Sequence, residues 1–221
     1  MDQNEAQDEN VRIPPLALAG TLRVPSNARG IVVFVHGSGS SRLGPRNRAV
    51  ATALNEAGLA TLLFDLLTAD EERDRNNVFD ISLLADRLVE VISWIDRETA
   101  LSRLALGLFG ASTGTAAGLV VAARLGDRIG ALVSRGGRPD LAAEALALVR
   151  APTLLIVGCD DGVVVSLNER ALASLRAVKE LRIIPGASHL FPEPGALKAV
   201  MEHATRWFLL HLVQSSAGRP L

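Results

Sequence analysis

The sequence predicts a doubly wound α/β fold, in which helices cover both faces of a mostly parallel sheet. Short apolar runs alternate along the chain with longer runs of helical periodicity, the pattern of strand–helix–strand units. The residues are 48% hydrophobic but only 4% aromatic, which favours an aliphatic core of buried parallel strands. With no internal repeat or linker, we expect one domain over residues 11–221 and a disordered acidic start over residues 1–10.

The predicted strands are apolar runs bounded by turn residues. They cover residues 16–24, 30–36, 59–65, 104–109, 131–134, 153–157 and 181–184. The predicted helices have apolar residues spaced three and four apart. They cover residues 45–57, 81–95 with Asp80 as the cap, 113–125, 140–149, 166–178 and 194–212, whereas residues 66–77 form a charged loop. Ligands of such sheets bind at the carboxyl ends of the strands, so polar residues directly after strands are the functional candidates.

Charge and composition argue against several classes of partner. The net charge is -1 without a basic stripe, which disfavours nucleic acid and anionic membranes as partners. No apolar run approaches the roughly 18 residues of a membrane span, and the acidic start does not resemble a signal peptide. We therefore expect a cytoplasmic protein. Cys159 is the only cysteine, so it forms no intrachain disulfide, and we interpret it as a small packing residue.

The candidate nucleophile is Ser112, in the G-x-S-x-G motif that begins at Gly110 and ends at Gly114. The motif follows a predicted strand and opens a predicted helix, which is the context that a nucleophile elbow requires. The turn is so tight that the residues two places from the serine must be nearly free of side chains. The alternative is a glycine-rich turn that serves packing alone.

The candidate general base is His189, which follows the last predicted strand. Serine hydrolases with this elbow carry their triad in the chain order Ser, Asp, His, and the histidine lies after the final strand. Of the other histidines, His36 ends an early strand and is expected to orient the next loop, while His203 and His211 lie within the closing helix. The choice of His189 thus depends on its position in the chain order.

Two adjacent aspartates, Asp160 and Asp161, follow the penultimate predicted strand, where the triad acid belongs. The spacing from Gly158 favours Asp161, with Asp160 as the alternative. Asp140 is a weaker third candidate because it also suits the N-cap of a helix.

An early loop with the sequence HGSGS, beginning at His36, is the candidate oxyanion loop. Two backbone N–H groups stabilise the oxyanion in this chemistry, one from this loop and one from the residue after the nucleophile. These would belong to Ser38 and Thr113. The loop lacks the Gly-Lys-Ser/Thr ending of a phosphate-binding P-loop, and the alternative is a flexible Gly/Ser turn.

Together these motifs make the chain similar to the dienelactone hydrolase-like group of α/β-hydrolases. The resemblance runs through HGSGSSRLGPRNR (36–48), GLATLLFDLL (58–67), GLFGASTG (107–114), SRGGRPDL (134–141), APTLLIVG (151–158) and PGASHLF (185–191). It implies an α/β-hydrolase fold without a large cap domain, in agreement with the short connection from Ser134 to Asp140. Dienelactone hydrolase itself uses a cysteine nucleophile, whereas the elbow here carries Ser112, which puts that substrate in doubt.

The function that follows is hydrolysis of a small ester or lactone through an acyl-enzyme, without metal or organic cofactor. Arg42, Arg46 and Arg135 all lie in predicted loops after strands, where one of them could bind a substrate carboxylate or form ordinary surface contacts. The alternatives are cleavage of a thioester or peptide on the same machinery, and a non-catalytic binding or regulatory module, since resembling domains also occur joined to phosphoribosyltransferase domains. The apolar closing helix could form a homodimer contact.

Overall fold

The computed structural model describes residues 7–213, and these form one mixed eight-stranded sheet flanked by helices. The strands are β1 (Glu9–Ile13), β2 (Leu18–Arg23), β3 (Ile31–Val35), β4 (Ala60–Phe64), β5 (Leu106–Ala111), β6 (Ile129–Arg135), β7 (Thr153–Gly158) and β8 (Lys179–Ile184). The helices are α1 (Pro45–Glu56), α2 (Arg75–Phe79), α3 (Ile81–Arg97), α4 (Thr113–Leu125), α5 (Gly162–Ser174) and α6 (Ala196–Phe208). In addition, 3₁₀ helices cover Glu71–Arg73, Gly126–Arg128 and Pro139–Leu148, and a π-helical turn, Leu209–Val213, follows α6.

The strand order is β1-β2-β4-β3-β5-β6-β7-β8. From β4 to β8 every neighbouring pair is parallel, while β1 and β2 are antiparallel to their neighbours. The predicted α/β-hydrolase fold class is therefore confirmed. The carboxyl ends of β3, β5, β6, β7 and β8 meet at one edge of this sheet, which is where the candidate site residues should converge.

The core lies in two layers, one on each face of the sheet. One layer packs α3 and α4 against the sheet through residues such as Leu88, Ile92 and Leu119. The other packs α1 and α6 against the opposite face through residues such as Leu54, Val200 and Phe208. The central strands β3, β4 and β5 are buried along their whole length, as expected for parallel strands covered on both sides.

Several sequence-based predictions differ from the structure. Glu9 and Asn10 belong to β1, although residues 1–10 were expected to be disordered; residues 1–6 lie outside the described part of the chain. The segment predicted as a helix from Asp140 is a 3₁₀ segment with a kink at Ala142, and Asp140 lies within it rather than at its N-cap. The charged loop over residues 66–77 carries a 3₁₀ turn and the start of α2.

No helix among residues 7–213 is both long enough and apolar enough to cross a membrane.

Candidate active site

Ser112 lies at a sharp turn between β5 and α4. Its backbone has φ 50° and ψ -123°, a strained conformation for a residue with a side chain. Hydrogen bonds hold the turn: the Ser112 N–H donates to the Arg135 carbonyl at 3.2 Å, and the Ser112 carbonyl accepts from the N–H groups of Thr115 and Arg138, both at 3.1 Å. The surrounding backbone thus fixes a strained serine at the carboxyl edge of the sheet, which is the geometry of a nucleophile elbow.

The elbow packs closely against the end of β3 because two glycines leave room for it. A Cβ atom on Gly114 would lie 2.1 Å from the Val35 carbonyl oxygen and 2.5 Å from that of His36. A Cβ atom on Gly37 would lie 2.8 Å from the Cβ of Ser112. All three distances are shorter than van der Waals contact, so the approach of the oxyanion loop to the serine requires glycine at these two positions.

His189 and Asp161 are in direct contact. The Nδ1 atom of His189 lies 2.5 Å from Oδ2 of Asp161, although the two residues come from different loops, after β8 and after β7. Asp161 occupies the N-cap position of α5 but makes no capping hydrogen bond there, because its carboxylate turns toward the imidazole. A carboxylate on Nδ1 leaves Nε2 as the free nitrogen for proton transfer.

The other two candidate acids, Asp160 and Asp140, bind other partners in the structure. Asp160 is exposed and accepts a hydrogen bond from the Cys159 thiol at 2.9 Å. Asp140 forms a bidentate pair with Arg138, with both N–O distances at 2.8 Å. The Arg138 contact lowers the pKa of the Asp140 carboxyl group. Neither of these two acids contacts His189 in the described chain.

His189 and Ser112 line the same cleft, which has a volume of about 810 Å³ and is also lined by the oxyanion loop. In the part of the chain that the structure describes, the Ser112 hydroxyl makes no hydrogen bond to the imidazole. In hydrolases without substrate this bond is often long and shortens only when the substrate binds.

The oxyanion loop is held by two side chains. His36 bridges it to the segment after β4: its Nδ1 lies 3.0 Å from the Gly37 carbonyl oxygen, and its Nε2 accepts from the Leu66 N–H at 3.2 Å. These partners require the neutral form with the proton on Nδ1, and burial lowers the pKa of His36 accordingly. The Ser38 N–H donates to the Thr113 Oγ1 at 3.0 Å. The Thr113 hydroxyl therefore occupies one of the two predicted oxyanion donors.

The three candidate arginines have different surroundings. Arg42 does not line the cleft; its backbone N–H and its guanidinium both bind Asp65, the N–H at 2.7 Å. Arg46 and Arg135 were expected in loops, but Arg46 lies at the start of α1 and Arg135 is the last residue of β6. Both line the cleft that Ser112 also lines. The Arg135 side chain is buried and its Nη1 atom has no hydrogen-bond partner.

Some features of the candidate site are not visible in the sequence motifs. The contact between Thr113 and Ser38 joins residues 75 positions apart, and the pairing of Arg42 with Asp65 spans 23. Aspartate after a strand was a usable signal for Asp65, since it follows β4 as Asp161 follows β7. The burial of Arg135 had no sequence signal, because arginine is usually exposed.

The sheet order and the strand-to-helix elbow define this protein as an α/β-hydrolase. Among solved structures, the chain is 52% identical to a dienelactone hydrolase from Anabaena variabilis ATCC 29413, with a TM-score of 0.91 over 96% of this chain and 100% of the other. The chain therefore belongs to the dienelactone hydrolase-like family, as its sequence motifs predicted. Est1E from Butyrivibrio proteoclasticus shares the fold, with a TM-score of 0.79 at 16% identity over 92% of this chain and 98% of that one.

A second comparison adds a longer relative. The chain is 55% identical over 208 residues to Mycobacterium tuberculosis proteins that are provisionally named phosphoribosyl transferases. The match covers 93% of this chain but 47% of the relatives, so the chain spans about half of their length. No family model matches the chain.

Proposed function

We propose that this protein hydrolyses a small carboxylic ester or lactone through an acyl-enzyme, with Ser112 as nucleophile, His189 as general base and Asp161 as the acid of the triad. The observation that carries the proposal is the contact of 2.5 Å between Asp161 and His189, which lines the same cleft as Ser112. A strained serine, a free imidazole nitrogen and a carboxylate behind it are the elements of nucleophilic acyl transfer.

The reaction proceeds in two steps. The Ser112 oxygen attacks the substrate carbonyl as Nε2 of His189 takes the hydroxyl proton, and Asp161 stabilises the imidazolium that forms. The proton then passes to the leaving alcohol as the ester C–O bond breaks, or to the ring-opened hydroxyl of a lactone. Water attacks the acyl-enzyme with His189 again as base, which releases the acid and restores the serine.

The oxyanion is stabilised by the backbone N–H groups of Ser38 and Thr113. The Ser38 N–H is bound by the Thr113 hydroxyl in the substrate-free protein, so the developing oxyanion replaces that hydroxyl as its acceptor. An anionic oxygen is a stronger acceptor than a hydroxyl, and the exchange therefore favours the tetrahedral intermediate over the ground state.

The relatives support ester or lactone chemistry without fixing the substrate. The solved structure at 52% identity is named a dienelactone hydrolase, whereas the nucleophile of this chain is a serine. The relatives of about twice the length are named phosphoribosyl transferases. The contact between His189 and Asp161 supports acyl transfer as the reaction of this chain.

The test is turnover of short nitrophenyl esters by the purified protein and by the Ser112→Ala variant. We expect activity in the parent and its loss in the variant, with thermal unfolding unchanged. Panels of thioesters and peptides measure the competing acyl substrates. A folded parent protein that turns over none of these substrates would favour the non-catalytic module instead.

A further inference from the structure

Two exposed leucines line the candidate active-site cleft. Leu43 follows the oxyanion loop and is 56% exposed, and Leu190 follows the general base and is 48% exposed. Both line the cleft that Ser112 also lines. The other large apolar side chains that are exposed in residues 7–213 all lie outside this cleft. Single exposed apolar side chains are ordinary on a protein surface, but two in the wall of one cleft point to a function there.

A hydrogen-bonded turn holds Leu43 at the surface. The Gly44 N–H donates to the Ser41 carbonyl at 3.0 Å, so Leu43 is the third residue of a four-residue turn. The second residue, Arg42, is anchored by Asp65, because its backbone N–H donates to Oδ1 at 2.7 Å and its guanidinium binds Oδ2. Leu43 therefore cannot move into the core unless these contacts break.

Leu190 is held at the cleft by a second turn of the same kind. The Phe191 N–H donates to the Ser188 carbonyl at 3.1 Å, and Leu190 is again the third residue. The second residue is His189, which is anchored by its contact with Asp161. Phe191 is buried and has a φ of 55°, which is a strained conformation for a residue with a side chain. The turn thus buries the phenylalanine and leaves the leucine exposed at the cleft.

Exposed leucine surface is unfavourable in water, and an apolar group that covers it is bound more tightly as a result. The group that enters this cleft during the reaction is the substrate of Ser112. We propose that Leu43 and Leu190 form an apolar subsite that binds a hydrocarbon group of the substrate, on either the acid or the alcohol side of the ester bond. This proposal rests on the proposed hydrolase function and narrows its substrate to esters or lactones with an apolar chain or ring.

The kinetic test uses two series of esters. In the first series the acid lengthens from nitrophenyl acetate to nitrophenyl hexanoate. In the second series the alcohol lengthens from ethyl acetate to hexyl acetate, and acid release is followed with a pH indicator. We expect a higher kcat/KM for the longer ester in at least one series, and that series identifies the side that is bound. Equal kcat/KM for short and long esters in both series would overturn the subsite.

Leu43→Ser and Leu190→Ser each remove one apolar side chain from the cleft. Each should lower the ratio of kcat/KM for the longer ester to that for the shorter ester by about 4- to 10-fold, the effect of burying about half of a leucine side chain. The loss should appear as a higher KM for the longer ester, because a contact away from the reacting carbonyl binds substrate and transition state alike. Leu43→Met and Leu190→Met keep an apolar side chain and should retain the preference.

The matched control is Leu148→Ser, which removes a leucine that is 65% exposed and lies outside the cleft. It should leave the ratio unchanged. An unchanged ratio in either Leu43→Ser or Leu190→Ser would overturn the subsite. An equal fall in kcat on short and long esters would also overturn it, because that result indicates a disturbed catalytic site rather than a lost contact with the chain.

A binding test does not depend on turnover. Saturation-transfer NMR measures contact between the protein and methyl hexyl ketone, which is not hydrolysed, with methyl ethyl ketone as the short-chain comparison. Transfer to the longer ketone should be stronger in the parent and in Leu148→Ser, and should fall to that of the shorter ketone when both cleft leucines are replaced by serine. If no ester of either series is cleaved, the proposed function fails and this measurement alone decides the subsite. Transfer that needs the two leucines supports it, and transfer that is absent or unchanged in the double variant overturns it.

Discussion

Replacing Gly114 by alanine tests whether the elbow depends on close backbone contact. The new Cβ would lie 2.1 Å from the Val35 carbonyl oxygen, whereas Cβ contacts below 3.0 Å are essentially never seen. The elbow and β3 would have to separate by about 1 Å, and both are rigid backbone in the buried core. Overpacking of this kind costs about 3 kcal/mol. For a chain of this size we expect the melting temperature to fall by roughly 6–12 °C.

Gly118 provides the control within the same helix. A Cβ atom there would lie 3.6 Å from Cδ1 of Leu132, an ordinary contact. Alanine in a helix interior is favoured over glycine by about 0.5–1 kcal/mol, so Gly118→Ala should raise the melting temperature by roughly 1–4 °C. Thermal unfolding followed by circular dichroism measures both variants. Shifts of the same sign and size, or a Gly114→Ala protein as stable as the parent, would refute the reasoning.

Two further predictions concern single side chains. Asp161→Asn should lower kcat on nitrophenyl esters by about 10³–10⁴-fold, because the amide stabilises neither the required tautomer nor the positive charge of His189. Asp160→Asn is the control and should change kcat little. Equal losses of kcat in the two variants would contradict the assignment of Asp161 as the triad acid. Burial holds the pKa of His36 in the folded protein below its unfolded value of 6.5. As the pH falls below 6.5, the imidazole is therefore protonated in the unfolded chain before it is protonated in the folded protein. Protonation of the unfolded chain lowers the free energy of unfolding, so stability that is present above pH 6.5 is lost below it. Urea unfolding midpoints between pH 7.5 and pH 5 should therefore drop more steeply for the parent than for His36→Gln, and parallel slopes would contradict this.

Most of the parallel sheet could be predicted from the sequence because buried parallel strands are continuous apolar runs. Strands β3, β4, β5 and β7 have this form, and their predicted and observed bounds agree within about two residues. Strand β1 was missed because it is an exposed edge strand with the sequence ENVRI, in which only two residues are apolar. It pairs with β2 through backbone hydrogen bonds, which any residue type can form and which amino-acid composition therefore does not predict.

Helix boundaries show the same dependence on local signals. The start of α4 at Thr113 follows from the elbow motif, and the Asp80 cap of α3 accepts from the Leu83 N–H as the sequence suggests. The start of α5 at Gly162 was placed four residues too late, because a glycine and a run of three valines obscure the helical pattern.

The candidate site, like the fold, could be predicted only in part from the sequence. Motif position was enough to nominate Ser112, His189 and Asp161, because a strand end fixes where a following residue lies. Side-chain contacts between distant segments were not predictable, as with Thr113 on Ser38 or the burial of Arg135. Such contacts depend on how the loops pack against one another, and no local sequence pattern predicts that packing.

The most direct test of the account is to locate the adduct of a fluorophosphonate probe by mass spectrometry. Trypsin cleavage at Arg103 and Arg124 releases a fragment in which Ser112 is the only serine. We predict a single adduct on this fragment, its absence in Ser112→Ala and much slower labelling in His189→Gln. Failure of the folded parent protein to react, or an adduct on any other residue, would contradict the claim that Ser112 is an activated nucleophile.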